Sequence, residues 1–318
     1  MESLYPTKEI IEEAAKRIAP FVHHTPVITS KSINVMLGAE VFLKCENFQK
    51  IGAFKYRGAT NAVLTLSADE KKNGVATHSS GNHAQALALA AKINKLKAYI
   101  VMPENSSSVK INAVKGYGAE VILCAPNQAA RENTLAEVMK RTGATLVHPY
   151  NNYSIIAGQA TAAKELIEEV KNMDIVMAPV GGGGLLSGTA LAAHYFSPQS
   201  IVIAGEPANA DDAYRSLEKG EMLPSNPPNT IADGLLTSLG DKTFDIIRKH
   251  VKEIITVSEE EIVAAMRLVW ERMKIIIEPS SAVPIAAAIK SKERFEGKRI
   301  GIIISGGNVD LNKSPFNK

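Results

Sequence analysis

The 318-residue sequence has two cysteines, one tryptophan, few aromatics and no long apolar run. Each scarcity excludes something. Cys45 and Cys124 lack the spacing of a metal-ligand pair and read as buried thiols in a reducing compartment, not as a disulfide. No apolar stretch approaches the length that crosses a bilayer. The start, Met1-Glu2-Ser3-Leu4, has no basic segment followed by an apolar one, so no signal peptide is expected. Charge of one sign is scarce too: 36 basic residues against 33 acidic leave a net charge of +3. Without a basic run or basic-aromatic interleaving, nucleic acid is not an expected partner. A cytosolic globular protein remains, long enough for one large domain or two smaller ones.

What is present is alternation. Strands are expected at residues 74–77, 98–102, 121–124 and 145–147, with helices at 83–93, 107–115 and 129–141 between them. A second round follows, with helices at 157–170 and 185–196 and strands at 174–178 and 201–204. Beyond a proline-rich loop the pattern loosens, then recovers with helices at 259–274 and 282–289 and a strand at 299–304. Helices at 7–18, 30–37 and 59–66 and a short strand at 41–43 precede both rounds. Such alternation means parallel sheets covered by helices. The reading is an α/β protein of two units with a ligand cleft between them.

Several turns could carry chemistry. Lys55 lies between Phe54 and the small residues Gly52 and Ala53; an amine that loses solvation there becomes a candidate nucleophile. Gly181, Gly182, Gly183 and Gly184 follow an apolar run and open a helix, where side-chain-free amides can converge on a phosphate. A tight strand-to-helix turn would use the same residues. A dinucleotide site, with Glu206 on a ribose, is disfavoured by the glycine spacing. Ser79, Ser80, Gly81, Asn82 and His83 could hold a carboxylate and move protons, or cap a helix. Ser305, in Ser-Gly-Gly-Asn, could offer a hydroxyl to a ring nitrogen or form a plain turn. The stretch from Glu206 to Asp212 suits Mg²⁺ or Ca²⁺, or is a solvated acidic turn.

Together these stretches resemble the fold-type II pyridoxal-phosphate enzymes, the class related to tryptophan synthase β, and within it the serine racemase and serine/threonine dehydratase family. The motifs, in order, are Gly52 to Ala59, Ser79 to His83, the four glycines, Thr230 to Gly234, Glu278-Pro-Ser, and Ser305 to Asn308. The resemblance runs from about Thr25 to Asp310. It implies two domains, each with a mostly parallel sheet flanked by helices: a small one at 74–150 inserted into a large one of 1–73 and 151–318. It implies that Lys55 carries pyridoxal phosphate and later acts as base at the substrate Cα. Phe54 would pack on the ring, Asn82 bond its hydroxyl, Gly181 to Gly184 hold the phosphate and Ser305 face the ring nitrogen, with Glu278 also at the cofactor. Ser79, Ser80, Gly81, Asn82 and His83 would cradle the substrate carboxylate.

The resemblance further implies that Ser80 is the acid/base opposite Lys55 in racemisation. Arg131 would lie near the substrate, and Glu206, the Ala210 carbonyl and Asp212 would bind a divalent cation. The expected activity is dehydration and deamination of L-serine and L-threonine to a 2-oxo acid and ammonia, with serine racemisation as companion. The alternatives are mainly racemisation, hydroxyaspartate ammonia-lyase activity, or β-replacement as a transferase. A homodimer is the family expectation. Ala84 stands where the animal racemases have glycine, and Ser30-Lys31-Ser32 is displaced by one residue from their nucleotide site. Isoleucine feedback is not expected, because no regulatory domain follows the last motif.

Overall fold

Apolar residues that alternate in facing, both faces being buried, build two sheets in the computed structural model, which describes residues 5–317, the side chains of Lys313 and Asn317 aside. The expectation for Met1 to Leu4 lies outside the described residues. The strands are β1 (Val27–Ile28), β2 (Glu40–Cys45), β3 (Val75–His78), β4 (Ala98–Pro103), β5 (Glu120–Cys124), β6 (Thr145–Leu146), β7 (Ile175–Pro179), β8 (Ile201–Pro207), β9 (Glu253–Val257) and β10 (Arg299–Ile304). One sheet has the order β1-β2-β10-β7-β8-β9, the other β5-β4-β3-β6. Every pairing is parallel except β1 with β2.

In the larger sheet, Val176 and Ala178 of β7 face one core, with Val202 and Ala204 of β8. Ile175 and Met177 face another, with Ile300, Ile302 and Ile304 of β10. Period-two facing with apolar residues on both sides is what a parallel sheet between helix layers requires. In the smaller sheet Val75, Ile100 and Met102 face one core, and Ala76, Tyr99 and Val101 the other.

The helix carrying Lys55 runs Lys55–Thr65, four residues earlier than the expected start at Ala59. Gly58 looks like a stop but is where this helix touches helix Tyr153–Glu169. A Cβ on Gly158 would fall 2.6 Å from the Gly58 Cα, and one on Gly58 2.8 Å from the Ile155 carbonyl oxygen. Close approach, not a turn, explains this glycine. Helix Tyr153–Glu169 also begins four residues early, because Asn152 Oδ1 accepts the amides of Ser154 (2.8 Å) and Ile155 (3.2 Å). Elements not anticipated are helix Asp212–Lys219, ahead of the proline-rich loop, and in the loosened region beyond it helix Asp241–His250, which buries Phe244, Ile246 and Ile247, and edge strand β9. Among the described residues no helix is long and apolar enough to cross a membrane.

Candidate active site

The motif turns lie where parallel strands end. Ser305 follows β10, the glycines follow β7, Ser79 follows β3, and Glu206 lies near the end of β8. Ligands of open α/β sheets bind at this edge.

Lys55 is tied to the end of β10. The Phe54 amide donates to the Ser305 carbonyl (2.9 Å), Gly307 N to the Gly52 carbonyl (2.9 Å), and Ala53 bridges to Gly306. Its helix is anchored by Arg57, fully buried, whose Nε and Nη2 donate to Glu46 (2.7 and 2.8 Å) and whose Nη1 and Nη2 donate to Glu165 (2.6 and 2.8 Å). Lys44 completes the cluster at 2.6 Å from Glu165. Sequence reasoning missed this anchor, although Arg57 stands inside the lysine motif. Lys55 Nζ itself donates to the Pro149 carbonyl at 3.0 Å and lies 5.2 Å from the centre of the Phe54 ring. Loss of hydration pulls its pKa down to about 8, against the opposing field of Glu278.

Asn82 and Glu278 meet across the two sheets. Asn82 Nδ2 donates to both carboxylate oxygens at 3.1 Å. Asn308, in the last motif but not anticipated at the site, donates from Nδ2 to Asn82 Oδ1 (2.9 Å) and the Ile51 carbonyl (2.8 Å), and from its amide to Glu278 (3.2 Å). Burial and the field of Asp233 push Glu278 up to about 7, although Asn82 and the Asn308 amide favour its charged form. Ser305, 2% exposed, lies 2.9 Å from Ser281 Oγ.

The glycine loop is a cradle that side chains would fill. A Cβ would fall 2.8 Å from Leu235 at Gly181, 2.4 Å from the Tyr150 ring at Gly182, 2.8 Å from Thr243 at Gly183 and 2.9 Å from Tyr150 at Gly184. Gly183 has φ +87°, which also favours glycine. Among the described residues the amides of Gly181, Gly182 and Gly183 have no hydrogen-bond acceptor. They stand at the head of the 13-residue helix Gly184–Phe196. Free amides at a helix N-terminus fit a phosphate.

Ser79 and Ser80 are half-buried, and among the described residues Ser80 Oγ has no hydrogen-bond partner. Ser79 Oγ accepts the Gly81 amide at 3.3 Å, and beyond Gly81 is open space. His83 points the other way. It is buried, its Nε2 lies 3.1 Å from the Val147 carbonyl, and burial with the Lys55 field pulls it down to about 3. Only its backbone faces the helix start. Arg131, on helix Gln128–Thr142, is half-buried with Nε unpartnered, and its field adds to burial in lowering His78.

The acidic set stands at the end of β8 and the head of helix Asp212–Lys219. Glu206, fully buried, accepts the amides of Ala213 (3.0 Å) and Tyr214 (2.7 Å), and Asp212 accepts that of Leu239 (3.2 Å). Burial pushes both carboxyls up, and for Glu206 the fields of Asp212 and Asp211 add to it. Among the described residues no cluster of three or more His, Cys, Asp or Glu could hold a metal. Two carboxyls and a backbone carbonyl at Ala210 would offer only oxygen, the ligand type a hard cation prefers.

Residues 18–306 match the family described as pyridoxal-phosphate dependent enzyme, and the chain belongs to it. The beta-hydroxyaspartate dehydratase of Paracoccus denitrificans is 49% identical over 98% of this chain and 99% of its own. The crystal structure of serine racemase from Dictyostelium discoideum superposes with a TM-score of 0.92 at 51% identity, covering 96% of this chain and 99% of that one. The crystal structure of T.th. threonine deaminase gives 0.91 at 42% identity, covering 96% and 99%. The fold is that of the fold-type II enzymes of this family, α/β with parallel sheets flanked by helices.

Proposed function

We propose that this enzyme dehydrates and deaminates L-serine and L-threonine and also racemises serine. The observation that carries the reading is Lys55: a half-buried amine held near pH 8, on a turn bonded to Ser305 and, through Pro149, beside the Tyr150 ring that packs on the glycine loop. Lys55 Nζ would bond the cofactor's aldehyde carbon, and the free amides of Gly181 to Gly183 with the head of helix Gly184–Phe196 would hold its phosphate. Phe54 would flank the ring, Asn82, oriented by Glu278 and Asn308, its hydroxyl, and Ser305 its nitrogen. Bound pyridoxal phosphate supplies an electron sink for the pair left at the substrate Cα. Lys55, freed as an amine, takes the Cα proton on one face. Ser80, with an unpartnered hydroxyl, serves the opposite face. The amides from Ser80 to His83 and the Ser79 hydroxyl hold the substrate carboxylate.

Glu206, the Ala210 carbonyl and Asp212 would take Mg²⁺ or Ca²⁺, which would offset the mutual repulsion of two buried acids. Residues 74–150 would form a small domain inserted into the larger one. A cytoplasmic homodimer is part of the same reading, supported by the family resemblance; sedimentation of the purified protein at twice the monomer mass is the expected outcome for the dimer. A second reading, dehydration of 3-hydroxyaspartate, is favoured by the unpartnered Arg131 Nε, which could take a second carboxylate.

The test is incubation with L-serine and Mg²⁺, quantifying pyruvate and D-serine in one tube. Both products are expected. Pyruvate alone would assign Ser80 to the carboxylate, and activity only on 3-hydroxyaspartate would favour the second reading. Neither product from any hydroxy amino acid would sink both.

A further inference from the structure

Two buried serines stand side by side where β10 ends. Ser281 lies in the first turns of helix Pro279–Lys290 and is fully buried. Its Oγ accepts the Gly306 amide at 2.7 Å, lies 2.7 Å from the Gly306 carbonyl and 2.9 Å from Ser305 Oγ. Among the described residues Ser305 Oγ has no other partner. A hydroxyl carries one proton. That of Ser281 therefore has two acceptors in reach, and one of them, the Gly306 carbonyl, already takes the Glu278 amide at 3.0 Å. The proton is free to choose. When it rests on Gly306, Ser305 donates to Ser281 and turns a lone pair outward. When it turns to Ser305, the Ser305 proton is released to point outward. The first arrangement leaves no buried donor without an acceptor, and the second is satisfied once an acceptor in the site faces the Ser305 proton.

We propose that Ser281 is a positioning residue for Ser305, allowing that hydroxyl to meet the cofactor's ring nitrogen either as acceptor from a protonated ring or as donor to an unprotonated one. This rests on the reading that Ser305 faces that nitrogen. With alanine at 281, Ser305 could still donate to a bare nitrogen. Accepting from a protonated one would bury its own proton with no acceptor, and an unmade buried hydrogen bond is costly. Ser281 thus sustains the proton affinity of the ring nitrogen, and with it the strength of the electron sink that divides elimination from racemisation.

The holoenzyme and its Ser281→Ala, Ser281→Thr and Ser305→Ala variants, loaded with pyridoxal phosphate carrying ¹⁵N in the ring, would be titrated by NMR, with circular dichroism as the check on folding. In Ser281→Ala the pH of half-protonation falls by about one unit, roughly a tenfold loss of proton affinity, and Ser281→Thr restores it. The ionisable groups around the pair are Glu278 at the head of the helix, Lys55 next to the Phe54 amide bonded to Ser305, and Lys110 and Asp233, which act on Glu278. None is altered. Equal midpoints in native and Ser281→Ala enzyme, with Ser305→Ala displaced, overturn the role of Ser281 and leave Ser305 at the ring. A native midpoint in Ser305→Ala overturns both, as does a nitrogen that takes up no proton in the native enzyme at any pH where it stays folded. Should Ser281→Ala not fold, for want of an acceptor for the Gly306 amide, Ser281→Cys replaces it. Its thiol is a weak donor and acceptor, so its midpoint falls in the same direction; an unchanged one overturns the proposal.

Discussion

Two cations stand two residues apart on one helix and meet opposite treatment. Arg57 is fully buried between Glu46 and Glu165, and their fields and hydrogen bonds outweigh the cost of burial and raise its pKa. Lys55 is half-buried, has one carbonyl for a partner, and falls to about 8. Coulomb's law and desolvation act on both; the number of supplied partners decides the sign. Arg57 cannot leave its carboxylates without stranding them, so it holds the helix in place. Lys55 has little to lose on giving up a proton, so it is available to react.

Breaking each side of this contrast has a different signature. The largest effect is expected from Lys55→Ala, which should lower turnover of L-serine by at least about 10²–10⁴-fold and remove the visible absorbance of lysine-bound cofactor. A retained band would mean that another amine holds it. Next, Arg57→Met should strand Glu46 and Glu165 and destabilise the protein by about 3–5 kcal/mol in urea denaturation. Lys55→Met should leave the apoprotein as stable as before or more so. Comparable losses from the two would erase the distinction.

The pH dependence sharpens it further. Lys55 gives up its proton near 8 when folded and at its ordinary 10.5 when unfolded, so between these values the unfolded chain binds more protons. Its contribution to apoprotein stability therefore rises with pH across that window. Cofactor uptake by the apoprotein should rise with a midpoint near pH 8, and a midpoint near 10.5 would contradict the desolvation argument. The same linkage applies in acid to His83, which falls from 6.5 to about 3 on folding. Its contribution is lost as pH falls from 6.5 toward 3, because there the unfolded chain takes up the proton first. His83→Gln should flatten that part of the acid unfolding curve; an unchanged curve would mean the imidazole is reached by water.

Most of the strand-helix order was legible because parallel strands buried on both faces leave apolar runs that periodicity detects, as β7, β8 and β10 do. β9 escaped notice because it lies at the sheet edge with only Ile254 and Val257 buried. The start of the lysine helix was misplaced for another reason: Gly58 reads as a breaker until helix Tyr153–Glu169 is laid against it. The motif residues were legible as residues, Lys55, Asn82, Glu278 and Ser305 among them. Their partners were not.

By itself the sequence determined the alternation of elements, the glycine cradle and the order of the motifs, since these depend on residues close along the chain. Only the tertiary structure decided which charges are satisfied and which are left short. Asn82 reaches Glu278 across 196 positions and Asn308 across 226. His83 turns inward to Val147, and Ser281 comes to stand behind Ser305. Desolvation and hydrogen-bond satisfaction are properties of the assembled surroundings, and no local pattern encodes surroundings supplied by segments so far apart.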